Sequence, residues 1–248
     1  MEKSGGEILV SGPLVSVILP VKNGERFLDA AINSVLRQDY ENYEIIVVNG
    51  KSTDRSETIA RSYQGVRCIE QTDEGFGNAL NAGIRLATGE LIAFNSFDDL
   101  WMRNKLSLQV ECFERHPEIQ YVITGVRYFL EDGEIVPSGF RRELLSEDRA
   151  GYMPETLMVR KALFGRIGVF SSDMKISADV DWFARAKDFC IPMMVIPEVL
   201  VHKRVHGSNS TLASDQVRVI NHEILKSLKH SIDRQKDSGV LKEEADER

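Results

Sequence analysis

The sequence predicts an α/β protein organised around a mainly parallel sheet, and three observations carry that expectation. Short apolar, β-branched runs alternate with stretches of helical spacing. Each run closes on turn-forming and polar residues, and the rhythm changes after Trp101. Residues 14–19 (LVSVIL) read as a buried strand closed by Pro20. Phe27, Ala31, Val35 and Leu36 then recur at helical spacing, and residues 43–48 (YEIIVV) repeat the buried-strand pattern. A helix over 54–63, a strand over 66–70, a helix over 76–87 ended by Gly89 and a strand over 91–94 continue the alternation. Right-handed crossovers follow from it, and ligands bind beyond the carboxyl ends of such strands.

The second half reads as mixed. A helix is expected over 104–114 and a strand over 119–128. Asp132-Gly133 signals a hairpin turn leading to a strand over 134–136. Residues 139–151 are charged and poor in apolar positions, which suggests a loop able to cover a site before a new element starts near Met153. From 216 to 236, Val217, Ile220, Ile224, Leu228 and Ile232 recur at spacings of three or four, an amphipathic helix. Its stripe is expected to pack on the body or on a second subunit in a homodimer; peripheral contact with a membrane surface is the alternative.

The 248 residues, 42% hydrophobic and 28% charged, suffice for one large α/β domain. A formal net charge of -7 argues against a nucleic-acid partner, which needs clustered Lys and Arg. Cys68, Cys112 and Cys190 stand far apart without metal-binding spacing, as in a reducing compartment. The polar, Gly-rich start and the lack of a long apolar run imply a cytoplasmic protein, at most peripheral at the inner face of a membrane.

Four strand-end segments concentrate polar residues: 20–25 (PVKNGE), 49–54 (NGKSTD), 73–78 (DEGFGN) and 96–99 (SFDD). Each has a structural reading, since Ser52-Thr53-Asp54 can cap a helix and Asn-Gly is a common turn. Asp98-Asp99 is the hardest to explain that way. Adjacent carboxylates after an apolar strand repel unless a cation sits between them, and oxygen ligation suits Mg²⁺ or Mn²⁺. Acids decorating a helix N-terminus are the alternative.

These segments lie in a longer pattern. Residues 15–56 (VSVILPVKNGERFLDAAINSVLRQDYENYEIIVVNGKSTDRS), 73–94 (DEGFGNALNAGIRLATGELIAF), FDDLW, ISADVDWFARA and KRVHGSNST together, in this order, resemble the family 2 glycosyltransferases of the GT-A fold. The resemblance spans residues 14–212 and implies a single GT-A domain. Within it, 14–101 would be a Rossmann-like nucleotide-sugar-binding half and 102–212 a mixed acceptor-binding half. Residues 1–13 form an N-terminal extension and 213–248 the C-terminal helix and tail. The implied activity is inverting transfer of a sugar from a nucleotide-sugar donor, a UDP-sugar first, to a carbohydrate or lipid-linked glycan acceptor.

By the same resemblance Pro20, Lys22, Asn23, Glu25, Asn49 and Lys51 hold base and ribose, and Asp73 and Asn78 add donor contacts. Asp98 and Asp99 bind ribose and a diphosphate-bound Mn²⁺ or Mg²⁺, and His206 lies near the metal or phosphate, with Arg204 and Ser208 as helpers. Asp179 is the matching catalytic base; a base is needed because a sugar hydroxyl is a poor nucleophile until its proton is taken. Asp181 is the runner-up, and in a helix only one of the two can face inward. The chain departs from the family pattern at Asn49, Lys51, Asn78, Ser96 and Phe97. These departures motivate a second reading, a nucleotide-sugar-binding protein that has lost turnover. A nucleotidyltransferase would need a Gly-rich basic loop after the first strand and a dinucleotide dehydrogenase a GxGxxG there; PVKNGERF provides neither.

Overall fold

The computed structural model describes residues 12–209 and 216–237; the first eleven residues of the extension, the end of the predicted domain near Leu212 and the tail beyond Asp237 lie outside the described residues. The first half follows the predicted alternation: β1 (Val15–Val21), α1 (Leu28–Leu36), β2 (Tyr43–Asn49), α2 (Ser56–Ser62), β3 (Val66–Glu70), α3 (Phe76–Leu86) and β4 (Leu91–Phe94). β1 pairs in parallel with β2 and β4, and β2 with β3. The period of two along β1 sends Val15, Val17, Leu19 and Val21 into one core with α1, and Ile18 into the opposite core with Phe94 and Trp182. Ser16, the polar exception, donates to Glu44 Oε1 (2.6 Å) and accepts from Gly89 N–H (2.9 Å).

The second half comprises β5 (Leu100–Trp101), α4 (Lys105–Arg115), β6 (Tyr121–Phe129), β7 (Arg149–Ala150), β8 (Met158–Arg160), α5 (Leu163–Ile167), α6 (Ala178–Asp188), β9 (Met193–Arg204) and α7 (Gln216–Asp237). It extends the sheet to the order β3-β2-β1-β4-β8-β6-β9-β5, with β7 on β6. β8 runs antiparallel to β4 and β6, β9 parallel to β6, and β5 antiparallel to β9. The α/β fold with one parallel and one mixed half is therefore the one expected. Two details differ. Asp132-Gly133 forms a turn, but residues 134–136 form no strand. The predicted covering loop also carries a 3-10 turn at Arg142–Leu145 and the short β7.

Two local features place the site. The pairing Leu100↔His202 sets Lys203 and Arg204 opposite the preceding Asp99 and Asp98. Gly77 lets α3 approach the start of α6: a Cβ there would stand 2.9 Å from Ala178 Cβ and 2.9 Å from Ser171 O.

α7 does not dock as its apolar stripe suggests. Ile220 and Ile224 are half-buried, but Leu228 and Ile232 are exposed, and Val217 lies outside the described side chains. The helix is anchored instead through polar groups, with Ser231, Arg234 and Gln235 all donating to Asp188 at the end of α6 (2.7, 2.8 and 3.0 Å). Among the described residues, no helix is long and apolar enough to cross a membrane.

Candidate active site

Parallel pairing brings the four predicted segments to one edge of the sheet. Gly50 N–H donates to Val21 O (2.8 Å), Gln71 N–H to Asn49 O (2.8 Å) and Asn95 N–H to Ile18 O (3.0 Å), so the strand ends are level. The loops after β1 and β2 are laced together by short polar side chains. Asn23 Oδ1 accepts from Thr53 N–H (2.8 Å), Ser52 Oγ from Asn23 N–H (2.9 Å), Ser56 Oγ from Gly24 N–H (2.8 Å) and Asp54 Oδ2 from Glu25 N–H (2.9 Å). Glu25 Oε2 accepts from Arg55 N–H (3.0 Å) and Asn49 Oδ1 from Ser52 N–H (3.1 Å). Asn23 tolerates the left-handed backbone this requires (φ 52°) better than most residues would.

Among the predicted donor contacts, Asn23, Glu25 and Asn49 thus already serve the loops, and Pro20 is buried within β1 opposite Val48. Lys22 and Lys51 are exposed, and among the described residues neither enters an ion pair. Asp73 is exposed, and its carboxylate accepts from Thr72 Oγ1 (3.1 Å); Asn78 donates to Glu74 O (2.7 Å). Buried Gln71, which sequence reasoning did not single out, shapes this loop by donating to Asp73 O and to Gly75 O (2.7 Å).

The acidic pair divides into two roles. Asp99 is fully buried and faces inward: Lys203 Nζ reaches its Oδ2 at 2.8 Å and Arg204 N–H its Oδ1 at 2.9 Å. Lys203 also meets Glu155 Oε1 at 3.1 Å. The cation that the adjacent carboxylates demand is therefore, at Asp99, a lysine. Burial lowers the lysine's affinity for its proton, but Asp99, Glu155 and Asp98 outweigh burial and hold the ammonium well above its ordinary pKa. Three acids share one ammonium, and burial pushes Asp99 up to about 7 with further push from Asp98 and Glu155. Lys203 and Glu155 were not foreseen, because nothing short-range in the sequence links them to Asp99.

Asp98 faces the other way. His206 Nε2 lies 3.0 Å from its Oδ2, and Asn209 Nδ2 donates to the same oxygen at 3.2 Å. Burial works against its charge, yet the His206 hydrogen bond and the Lys203 charge hold it below the ordinary carboxyl range. The imidazole stacks on Phe27 (4.8 Å between centroids). Arg204, placed by resemblance as a helper, sits between the Phe27 and Phe129 rings (4.7 Å to each) and donates to Asp98 O (2.9 Å). Phe97, out of pattern for the family, packs on the first loop: a Cβ on Gly24 would lie 2.4 Å from its ring.

Asp179 and Asp181 occupy the first turn of α6 and diverge as helical spacing requires. Asp181 is buried in an ion pair with Arg185 (2.8 Å), a structural role. Asp179 is half-buried, and burial together with the charge of Glu155 pushes its pKa up to about 7, while Lys203 draws it down. It therefore shares the field of the Asp99–Lys203–Glu155 cluster. The loop before it is held from α7, where the Glu223 carboxylate accepts from the N–H groups of Lys175, Ile176 and Ser177 (2.6, 3.1 and 2.8 Å).

Among the described residues, no three His, Cys, Asp or Glu side chains stand grouped as a metal site. Asp98 and His206 nevertheless suit one. A carboxylate oxygen and an imidazole nitrogen 3.0 Å apart are ligand types that would hold Mn²⁺ or Mg²⁺. Ser208 N–H donates to His206 Nδ1 (3.2 Å), and Asn209 Nδ2 lies 3.1 Å from Nε2, so both ring nitrogens are held in place. Both oxygens of Asp99 are engaged by Lys203 and Arg204, leaving it behind Asp98.

A curled mixed sheet with an acidic pair after β4 and a carboxylate heading α6 defines a transferase of the GT-A fold. The chain belongs to glycosyl transferase family 2, whose pattern its residues 16–176 match. It is 34% identical over 217 residues to a glycosyltransferase of Rickettsia prowazekii, covering 82% of this chain and 67% of that one. Over a shorter stretch, 39% of this chain and 40% of the relative, it is 37% identical to the UDP-Glc:alpha-D-GlcNAc-diphosphoundecaprenol beta-1,3-glucosyltransferase WfgD of Escherichia coli. Its fold is similar to that of glucosyl-3-phosphoglycerate synthase from Mycobacterium tuberculosis, solved with Mn²⁺, UDP and phosphoglyceric acid. That match has a TM-score of 0.64 at 17% identity and covers 89% of this chain and 78% of that one. The chain spans about two thirds of the Rickettsia prowazekii relative and 35% of the Rickettsia felis and Rickettsia conorii relatives.

Proposed function

We propose that this glycosyltransferase moves a sugar from a nucleoside diphosphate donor, a uridine one, to a hydroxyl of a carbohydrate or lipid-linked glycan with inversion, and that Asp179 is the base. The observation that carries the reading is Asp179 itself. A half-buried carboxylate with a pKa near 7 at the head of α6 accepts a proton near neutral pH while keeping the driving force to do so. The acceptor oxygen attacks the anomeric carbon as its proton passes to Asp179, and the bond to the diphosphate breaks on the opposite face.

Lys22 and Lys51, exposed beside the loops after β1 and β2, are cations available to a diphosphate in a chain of net charge -7. Asp98 and His206 would hold Mn²⁺ or Mg²⁺, which supplies Lewis-acid stabilisation of the departing nucleoside diphosphate when bound. The Mycobacterium enzyme, solved with Mn²⁺ and UDP, supports both the metal and the nucleotide. Asp99 and Lys203 fix the floor beneath Asp98. On the acceptor side, Phe183 and Lys187 follow Asp179 at one and two helical turns. They line a cavity of about 650 Å³ with Tyr121, Tyr152 and Val180, a space of the size that holds a small ligand. The WfgD relative, named for a diphosphoundecaprenol-linked acceptor, supports the lipid-linked class. The three free cysteines accord with a cytoplasmic setting.

The test is calorimetric titration with a panel of nucleoside diphosphates, with and without Mn²⁺, on the wild type and on Asp98→Ala. One nucleotide should bind in a metal-dependent way that the variant loses. Binding to none sinks the donor assignment; binding without any transfer or hydrolysis moves the protein to the non-catalytic reading suggested by Asn49, Lys51 and Ser96.

A further inference from the structure

α7 leaves part of its apolar stripe in solvent while two polar residues of its inner face are buried, which is unlike a helix that exists only to complete a core. Glu223 and Ser227 are 4% and 2% exposed, whereas Leu225, Leu228 and Ile232 are 66%, 55% and 47% exposed. At 3.6 residues per turn the three apolar side chains fall within an arc of about 60°. Arg218, Lys229 and Lys236 fall within an adjacent arc of about 20°, all exposed, and among the described residues none of the three enters an ion pair. The exposed acid on this side of the helix is Asp233, farther round. The protein as a whole is acidic, with net charge -7, so a cationic border along an apolar ridge is a local feature against the general field.

We infer that the outer face of α7 docks on the surface of a bilayer rich in anionic headgroups, with Leu225, Leu228 and Ile232 entering the headgroup boundary and Arg218, Lys229 and Lys236 meeting the lipid charge. An apolar ridge bordered by cations is the pattern of a helix lying in the interface plane. A second copy of the chain fits less well: antiparallel two-fold pairing of the ridges puts both Lys229 side chains on the same border, like charge against like. The helix is held on the body independently of the ridge, through Asp188 and through the Glu223 bonds to the loop before Asp179. The ridge is therefore free to engage a surface without being pulled from the fold.

The experiment is flotation of the full chain with vesicles of phosphatidylcholine alone and with about one third phosphatidylglycerol. Wild-type protein should be retained on the anionic vesicles and released as salt is raised, by screening over a Debye length. The double variant Leu225→Gln with Leu228→Gln should lower retention about tenfold or more, and Arg218→Glu with Lys229→Glu should abolish the preference for anionic lipid. These side chains are exposed, so unchanged thermal unfolding and nucleotide binding would show that the variants remain folded. No retention at low salt, or retention that neither double variant alters, overturns the inference. So does a dimer, seen by light scattering, that the Leu225→Gln and Leu228→Gln changes dissolve while vesicles leave it intact.

Discussion

The two edges of the candidate site are held together by different means. At the donor edge, loops after β1 and β2 are joined by hydrogen bonds between residues 29 to 32 positions apart, in which backbone N–H groups donate to Asn, Ser and Asp side-chain oxygens. At the acid edge, Asp98 and Asp99 are held by the Lys203 ammonium, the His206 imidazole and the Arg204 N–H, all more than 100 positions away. The first edge consists mostly of solvent-exposed bonds, two of them to the carboxylates of Asp54 and Glu25, each contributing about 1 kcal/mol and tolerant of single losses. The second is a buried charge cluster in which removing one member leaves the others unpaired at a cost of about 3 to 5 kcal/mol.

This contrast can be broken outright at Asp179. Asp179→Asn should lower the transfer rate by about 10²- to 10⁴-fold, the usual contribution of a general base, while leaving donor affinity unchanged. Steady-state kinetics beside calorimetry would separate the two, and an equal fall in donor binding would mean the residue serves the donor edge instead. Asp179→Asn also has a stability signature. Its folded pKa, about 7, stands above the unfolded value of about 3.9. The native state therefore holds a proton that the unfolded chain releases, and this contribution, complete below pH 4, disappears as pH rises to 7. Asp99, also raised to about 7, has the same sign. Unfolding temperature should thus fall across pH 4 to 7 in the wild type and fall less in Asp179→Asn, and activity should rise through pH 7 on its acid limb.

Lys203→Met sharpens the contrast on the structural side. It leaves Asp99 and Glu155 buried without their ammonium, and denaturant unfolding should show a loss of about 3 to 5 kcal/mol. Ser52→Ala, which removes one neutral bond of the donor edge, should cost about 1 kcal/mol. Similar losses at the two positions would erase the distinction. Glu223→Ala belongs between them. Burial disfavours the Glu223 charge, but three backbone N–H bonds hold its pKa below the ordinary range. Losing them should cost about 2 kcal/mol and lower the turnover number more than donor affinity, because the loop released is the one that leads into Asp179.

The same contrast explains what the sequence made legible. The alternation from β1 to β4 could be read because each strand of the parallel half is a short β-branched run bounded by its own turn residues. The carboxyl-end loops followed from that reading alone. Asp98, Asp99, His206 and Asp179 emerged from motif order, and the structure places the first three in one cluster, with Asp179 within its field. Lys203 and Glu155 could not be read. Their contact with Asp99 depends on the pairing of the two-residue strand β5 with β9, and no periodicity in so short a segment announces it. α7 was legible as a helix but not in its orientation, since Glu223 and Ser231 find partners that helical spacing does not reveal.

The smallest effect expected is at Asn95, where β4 ends between the two edges. It is 2% exposed, and among the described residues neither its amide oxygen nor its nitrogen has a hydrogen-bond partner. A buried amide without protein partners destabilises the fold by about 1 to 3 kcal/mol, and an apolar side chain of similar volume removes that cost. Asn95→Leu should therefore raise the free energy of unfolding measured in denaturant by about 1 kcal/mol with the transfer rate preserved. If stability rises and nucleotide affinity falls, the amide belongs to the donor edge. If stability falls, its position is fixed by the acidic cluster that follows it, and the division between the two edges lies one strand earlier than drawn here.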